Sequence, residues 1–150
     1  MPLRFYLSLA GLVLMTLGVG GCASGPPVMP KERALALEQS AETYRKLIRW
    51  SDFAAACQYY RPRKGEVVPI DPARFEGWKV STYDVGDAAI GKDFVEAQYA
   101  AEMTFFSKDT GRAGSLREVQ RWWFDLETKR WYLESPPPDF AAAAVRRPSR

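Results

Sequence analysis

A long alternation of apolar and polar residues over 95–105 constrains the fold of this chain more than any other feature. The odd-numbered residues are all apolar: Val95, Ala97, Tyr99, Ala101, Met103 and Phe105. Most of the residues between them are polar or charged: Glu96, Gln98, Glu102 and Thr104. A period of two over this length is typical of a β-strand with one face on a core and the other toward water. The pattern therefore predicts an antiparallel sheet that is covered on one face.

Shorter stretches with the same period predict the rest of the sheet. They cover residues 76–85, about 116–126 and 131–134, and polar or glycine-containing turns separate the later strands. In the first stretch the period places Val80 on one face and Tyr83 on the other. Because short turns favour a meander, we expect four antiparallel strands.

The residues that precede the sheet have a helical period. One helix is predicted over about 31–49 from the spacing of four apolar positions: Leu37, Ala41, Tyr44 and Ile48. A shorter helix is predicted over about 52–60, with Ser51 as its N-cap and Pro62 beyond its end. Since these helices are the available cover for the sheet, the predicted fold class is α+β, with two N-terminal helices packed on a curved four-stranded antiparallel sheet.

Four aromatic-rich segments occur in the order helix, helix, late strand and late strand. They are Trp50-Ser51-Asp52-Phe53, Tyr59-Tyr60-Arg61-Pro62, Gln120-Arg121-Trp122-Trp123-Phe124 and Arg130-Trp131-Tyr132-Leu133. This arrangement over 31–135 resembles the cone-shaped fold named after nuclear transport factor 2 (NTF2-like), with a smaller cystatin-like arrangement as the alternative. The resemblance implies a pocket between helices and sheet, and dimerisation through the outer sheet face. It does not choose among enzymes, ligand binders and interaction modules.

Residues 1–21 have the zones of a bacterial signal peptide. Arg4 gives a positive start, and the apolar stretch after it has about 15 residues, shorter than the ~20 that span a bilayer. Val19-Gly20-Gly21-Cys22 resembles the bacterial lipobox, although the commonest box begins with Leu and then Ala or Ser. The resemblance implies cleavage before Cys22, a diacylglyceryl group on its thiol and a further acyl chain, such as palmitate, on the new amine. The alternative is an uncleaved N-terminal anchor in which Cys22 has no role.

The segments that flank the predicted domain have different compositions from it. Residues 22–30 contain small residues and proline, which predicts a flexible tether after the lipidated cysteine. Residues 136–150 are rich in Pro, Ala and Arg, which predicts a mobile tail unless Phe140 docks. Ala23 follows Cys22, whereas an Asp there retains enterobacterial lipoproteins at the inner membrane. The resemblance therefore favours the outer membrane of the cell envelope, with the domain facing the periplasm.

Composition argues against several classes of function. The chain has no histidine, the commonest general base near neutral pH and a common metal ligand. Its 21 basic and 18 acidic residues are interleaved for a net charge of +3, so no nucleic-acid-binding surface is predicted. No phosphate-binding glycine loop, nucleophile motif or metal-spaced cluster is found, so no cofactor or metal is predicted. Cys57 lies among alanines in a helical pattern and is interpreted as a small buried hydrophobe.

The strand predicted over 116–126 is the one in which a catalytic group could lie. Its two faces both carry a tryptophan, so the sequence does not decide which face is buried. If Glu118 and Gln120 point inward, beside Tyr99 and Trp131, burial would raise the pKa of Glu118 and allow it to act as a base. The plainer interpretation, which the pattern favours, places Glu118 at the open end of the sheet with only a structural role.

Aromatic side chains offer a second kind of site. A ligand or partner surface is predicted from six of them: Tyr59, Tyr60, Tyr99, Trp122, Trp123 and Trp131. The first functional hypothesis is a membrane-anchored envelope lipoprotein with a non-catalytic domain that contacts an envelope protein or a small apolar ligand. The alternative is a periplasm-facing enzyme or small-ligand carrier that uses the cone pocket, with Glu118 as the candidate catalytic residue.

Overall fold

A computed structural model of the chain describes residues 29–145. The predicted signal peptide over 1–21, the predicted lipidation site Cys22 and most of the tether lie outside the described residues, as do residues 146–150. The described part is an α+β domain with a curled antiparallel sheet and helices packed against it, which confirms the predicted fold class at that level.

Five strands form the sheet. They are β1 (Trp78–Val85), β2 (Ala89–Ile90), β3 (Glu96–Ser107), β4 (Ala113–Asp125) and β5 (Arg130–Leu133). The strand order is β1-β3-β4-β5, and β2 pairs with β3 beyond the end of β1; all neighbours are antiparallel. The four predicted strands are present, and β2 is an addition to them. Its two residues lie in a predicted loop and are too few to produce a period.

The alternation in β3 has the orientation that the sequence predicts. Its inward residues are all buried: Ala97, Tyr99, Ala101, Met103 and Phe105. Glu96, Gln98 and Glu102 are exposed on the other face. Because β3 is the central strand and pairs along most of its length with β4, its inward face fixes which residues of β4 enter the core.

A β-bulge in β1 reverses one prediction about its faces. Val80 pairs with Phe105 and Thr82 pairs with Thr104, so Ser81 is the extra residue of the bulge. As a result Val80 and Tyr83 are both buried, whereas a regular strand would place them on opposite faces. The prediction that Tyr83 faces away from Val80 is therefore wrong, because one inserted residue moves every later side chain of the strand to the other face.

The described residues contain one long helix and two short ones. They are α1 (Pro30–Trp50), α2 (Phe53–Cys57) and α3 (Phe140–Val145), with a 3₁₀ helix at Pro72–Phe75. Helix α1 lies across the sheet against β1 and β5, with Leu37, Tyr44 and Ile48 buried on one face. The second helix ends earlier than the predicted residue 60.

The junction between α1 and α2 differs from the prediction by one residue. Ser51 is the C-cap of α1 in the left-handed region, with φ 61°. Asp52 is the N-cap of α2, and its Oδ1 accepts a hydrogen bond from Ala55 N at 3.2 Å. The prediction of Ser51 as the N-cap is wrong because the chain first has to end α1 at this residue.

Helix α3 lies in the segment predicted as a mobile tail. Phe140 docks on the core, is buried, and contacts the rings of Phe53, Phe75, Trp78 and Phe105. Helix α3 packs against β4, so it covers part of the sheet in addition to α1. The two-helix cover that the sequence predicts is therefore incomplete.

Candidate functional site

The inward face of β4 is the one that carries Glu118 and Gln120. Gln120 is 2% exposed and Trp122 is 1% exposed, whereas Val119 on the other face is 52% exposed. Glu118 is half-buried, two residues before Gln120 on the same face. The sequence did not decide which face of this strand is buried. In the structure the buried face is the one that includes Glu118 and Gln120.

Gln120 is the centre of a hydrogen-bonded group, here called the β4 polar cluster, which consists of Tyr83, Glu118, Gln120 and Trp122. Its Nε2 donates to Glu118 Oε1 at 2.9 Å and also to the hydroxyl of Tyr83. Its Oε1 accepts from the indole Nε1 of Trp122 at 3.4 Å. Each buried polar group of the cluster therefore has a partner, which a buried amide requires.

The pKa of the Glu118 carboxyl is raised because the group is partly removed from water. Burial raises its pKa, and the hydrogen bond from Gln120 opposes part of that rise. Burial also raises the pKa of Tyr83, and the Glu118 charge adds to the rise. A carboxylate held by one amide donor beside neutral tyrosines can accept a proton, but its geometry in the described residues is that of a structural hydrogen bond.

A second polar pair lies beside this cluster, where α1 meets the segment after α2. The hydroxyls of Tyr44 and Tyr60 are hydrogen-bonded to each other. Burial raises the pKa of both groups, and the charge of Glu118 contributes to both shifts. The charge of Glu118 therefore affects the ionisation of this pair as well as that of Tyr83.

Aromatic rings fill the space around these groups. Trp122 makes edge contacts with Tyr44 and Tyr59, each with ring centroids 5.9 Å apart. Trp122, Tyr99 and Trp131 are buried, so most of each ring lies in the core. Of the aromatic residues predicted to form a ligand or partner surface, Tyr59 and Tyr60 are partly exposed beside this packed core.

Two of the predicted aromatics meet in a surface cleft, here called the hairpin cleft. It lies between α1 and the β4–β5 hairpin, has a volume of about 360 Å³, and is lined by Ala36, Ser40, Gln58, Tyr59, Arg130 and Trp131 among others. The backbone after α2 holds Tyr59 there because Leu133 N donates to Tyr59 O at 2.7 Å. Arg61 N donates to Leu133 O at 2.9 Å, so this segment also covers the edge of β5.

The outer face of the sheet carries the sixth predicted aromatic, Trp123. Its ring lies 5.6 Å from that of Tyr132, and its indole Nε1 donates to Arg61 O at 2.9 Å. The Arg61 guanidinium lies over Tyr132 at 5.1 Å and also pairs with Asp125 at 3.3 Å. Trp123 is therefore half-buried among fixed neighbours, and one of them, Tyr132, also lines the hairpin cleft.

Tyr99, although mostly buried, lines a different cleft at the open end of the sheet. This cleft has a volume of about 460 Å³ and lies between α1 and the end of β1, with Glu38, Arg45 and Tyr83 among its lining residues. The predicted residues therefore line several separate clefts, one of which includes Tyr60 and another Glu118, rather than one site. The sequence missed Ser40 and Gln58 because single polar residues on a helix flank have no distinctive pattern.

Other features of the described residues bear on function. Cys57 is partly buried and packs against the core, and burial raises the pKa of its thiol. No group of three or more potential metal ligands occurs within residues 29–145. Among the helices of the described residues, none has the length and apolar character needed to cross a bilayer.

Comparison with known proteins identifies no matching family model, curated protein or solved structure.

Proposed function

We propose that this chain is a lipid-anchored envelope lipoprotein whose folded domain is a non-catalytic binding module. The lipid-anchored half of the proposal rests on the signal-peptide pattern and on the lipobox-like residues that end at Cys22. Its location follows from the same resemblance: the outer membrane, with the domain facing the periplasm. The binding half rests on the geometry of the hairpin cleft.

One observation carries the binding half. Tyr59 and Trp131 are distant in sequence and border the same cleft, whereas the interior between α1 and the sheet is filled by aromatic side chains and the β4 polar cluster. A volume of about 360 Å³ is at the small end of the usual range for ligand sites, roughly 300–1,000 Å³. The aromatic walls and the exposed Arg130 suit a small ligand with an apolar body and an anionic group.

The test compares two variants with the same chemistry on α1. Ser40 lines the cleft, whereas Thr43 is exposed outside it, and both hydroxyls donate to the carbonyl four residues earlier at 2.7 Å. Native mass spectrometry of protein gently extracted from its own membrane should detect a retained small molecule. We expect Ser40→Phe to lose this added mass and Thr43→Phe to keep it. Wild-type protein that retains no added mass beyond its acyl chains, or equal retention by both variants, would contradict the proposal.

A second pair of variants tests the charge that we assign to the ligand. Arg130 borders the cleft, and Arg112 is an exposed arginine in the β3–β4 turn. Arg130→Ala is expected to weaken retention, whereas Arg112→Ala should leave it unchanged. The same result for both would mean that net charge, rather than the cleft, determines binding.

A pocket enzyme or carrier remains the second candidate, because Glu118 borders a groove of about 570 Å³ together with Val85 and Ala101. The Glu118 carboxyl combines this access with a raised pKa. In this alternative Glu118→Gln, rather than Ser40→Phe, would change the identity or amount of the retained molecule. The hydrogen bond from Gln120 to Glu118 favours the binding module, since it gives the carboxylate a structural role.

We also propose that the fold is a cone of the NTF2-like or cystatin-like kind. The curled sheet under α1 is compatible with an NTF2-like cone over residues 31–135. Helix α2 is only five residues long, so α1 is the one long helix among the described residues. A single long helix across a curled sheet favours the cystatin-like variant of this arrangement.

A further inference from the structure

Three segments meet at the end of the domain where α1 begins. The indole Nε1 of Trp131 donates to Arg33 O at 2.9 Å, and the Arg33 guanidinium lies 5.3 Å from the centroid of the Phe124 ring. Arg33 Nη1 also donates to Asp93 O at 3.2 Å. The start of α1, the β4–β5 turn and the loop over 91–94 therefore form one continuous surface, here called the anchor-side end.

Large apolar side chains are exposed at this end. Met29 is 61% exposed and Leu126 is 64% exposed. Charged side chains of both signs are exposed in the same segments or next to them in sequence: Lys31, Lys92, Arg130, Glu32, Asp93 and Glu127. Exposed apolar tips between interleaved charges suit the boundary between lipid headgroups and acyl chains, where each kind of group finds a suitable environment.

The number of residues between Cys22 and Met29 limits how far the anchor-side end can lie from the lipid on Cys22. Seven peptide units join Cys22 to Met29, so their Cα atoms are at most ~25 Å apart at the extended rise per residue. Trp50 is at the other end of α1, whose 21 residues give a length of about 30 Å. A lipid on Cys22 therefore keeps Met29 within ~25 Å of the anchored residue, whereas Trp50, which is 80% exposed, can lie about one helix length farther away.

We propose that the anchor-side end docks on the phospholipid surface that holds the lipidated Cys22, with Met29 and Leu126 entering the headgroup region. This inference rests on the proposed lipid attachment at Cys22. The contact orients the domain, so that the far end of α1 points away from the membrane. The interleaved charges make the contact depend on apolar insertion more than on anionic lipid.

The test uses the lipidated full-length protein in vesicles of phosphatidylethanolamine and phosphatidylglycerol. A Cys57→Ala background carries either Leu126→Cys or Trp50→Cys, and each new thiol receives an environment-sensitive fluorophore. Both positions are more than half exposed, so neither substitution removes a core contact. A nitroxide on the lipid headgroup then quenches labels near the bilayer surface. We expect several-fold stronger quenching at position 126 than at position 50.

The outcomes separate this inference from the proposed function. Equal quenching at the two positions in protein whose mass includes the acyl chains would overturn the docking surface alone. Stronger quenching at position 50 would reverse the proposed orientation and also overturn it. If the lipid anchor is absent, the Cys22 thiol takes a second label and the mass lacks acyl chains, which overturns the anchor and the docking together.

Discussion

Gln120 Nε2 donates to Glu118 Oε1 at 2.9 Å, two residues away on the same inward face of β4. The same amide also holds the hydroxyl of Tyr83 and the indole of Trp122. One side chain thus determines whether three neighbouring polar groups have a partner.

Replacing Gln120 is expected to destabilise the domain. Gln120→Leu keeps the approximate volume but leaves the Tyr83 hydroxyl and the Trp122 indole without this partner, at a cost of about 1–3 kcal/mol for each unsatisfied buried group. Urea unfolding would measure the loss, with Gln98→Leu on the exposed face of β3 as the control. Similar stability for the two variants would show that the cluster does not hold the interior together.

Glu118 should make the domain less stable as the pH rises. Because burial raises its pKa in the folded state, the folded chain binds more protons than the unfolded chain between the two pKa values. Stability from this group is therefore present below the unfolded pKa and is lost as the pH rises through the folded pKa. Glu118→Gln should be more stable than wild type at neutral pH, and urea midpoints across this pH range should show a smaller decline. An unchanged pH profile would contradict the assignment.

Asp125 should change the stability of the domain with pH in the opposite direction to Glu118. Burial raises its pKa, but hydrogen bonds from Glu127 N and Thr128, together with the charge of Arg61, outweigh this and lower it overall. The stability from Asp125 is present above the unfolded pKa and is lost as the pH falls through the folded pKa. Asp125→Asn should therefore flatten the acid limb of the unfolding profile, while the Glu118→Gln variant keeps that limb.

The Tyr44–Tyr60 hydrogen bond predicts non-additive mutations. Each single Tyr→Phe change leaves one buried hydroxyl unpaired, at a cost of about 1 kcal/mol or more. In Tyr44→Phe/Tyr60→Phe neither hydroxyl remains, so the double variant should lose less stability than the two single variants together. A double-mutant cycle from urea unfolding measures the coupling, and strict additivity would count against the hydrogen bond.

The periodic elements could be predicted from the sequence because burial imposes the period directly. β3 alternates along its length, and α1 repeats its apolar residues at helical spacing. Tyr83 could not be placed, since a one-residue bulge at Ser81 leaves no mark on composition. Helix α3 could not be recognised, because its short alanine run depends on the docking of one residue, Phe140.

Phe140 should matter far more than its place near the chain end suggests. Phe140→Ala removes a buried ring that contacts four other aromatics, and it should cost about 3–5 kcal/mol. Val145→Ala, at an exposed position of the same helix, should change stability by less than about 0.5 kcal/mol. Thermal unfolding compares the two, and equal midpoints would mean that α3 is not part of the folded unit.

The intact mass of the full-length protein extracted from its own membrane tests the central claim most directly. The account predicts a chain that begins at Cys22, carries a diacylglyceryl group with or without a further acyl chain, and loses this modification in Cys22→Ser. A mass that matches the uncut chain over 1–150, or one cut before Cys22 but without lipid, would contradict the lipid-anchored assignment and the orientation inferred from it.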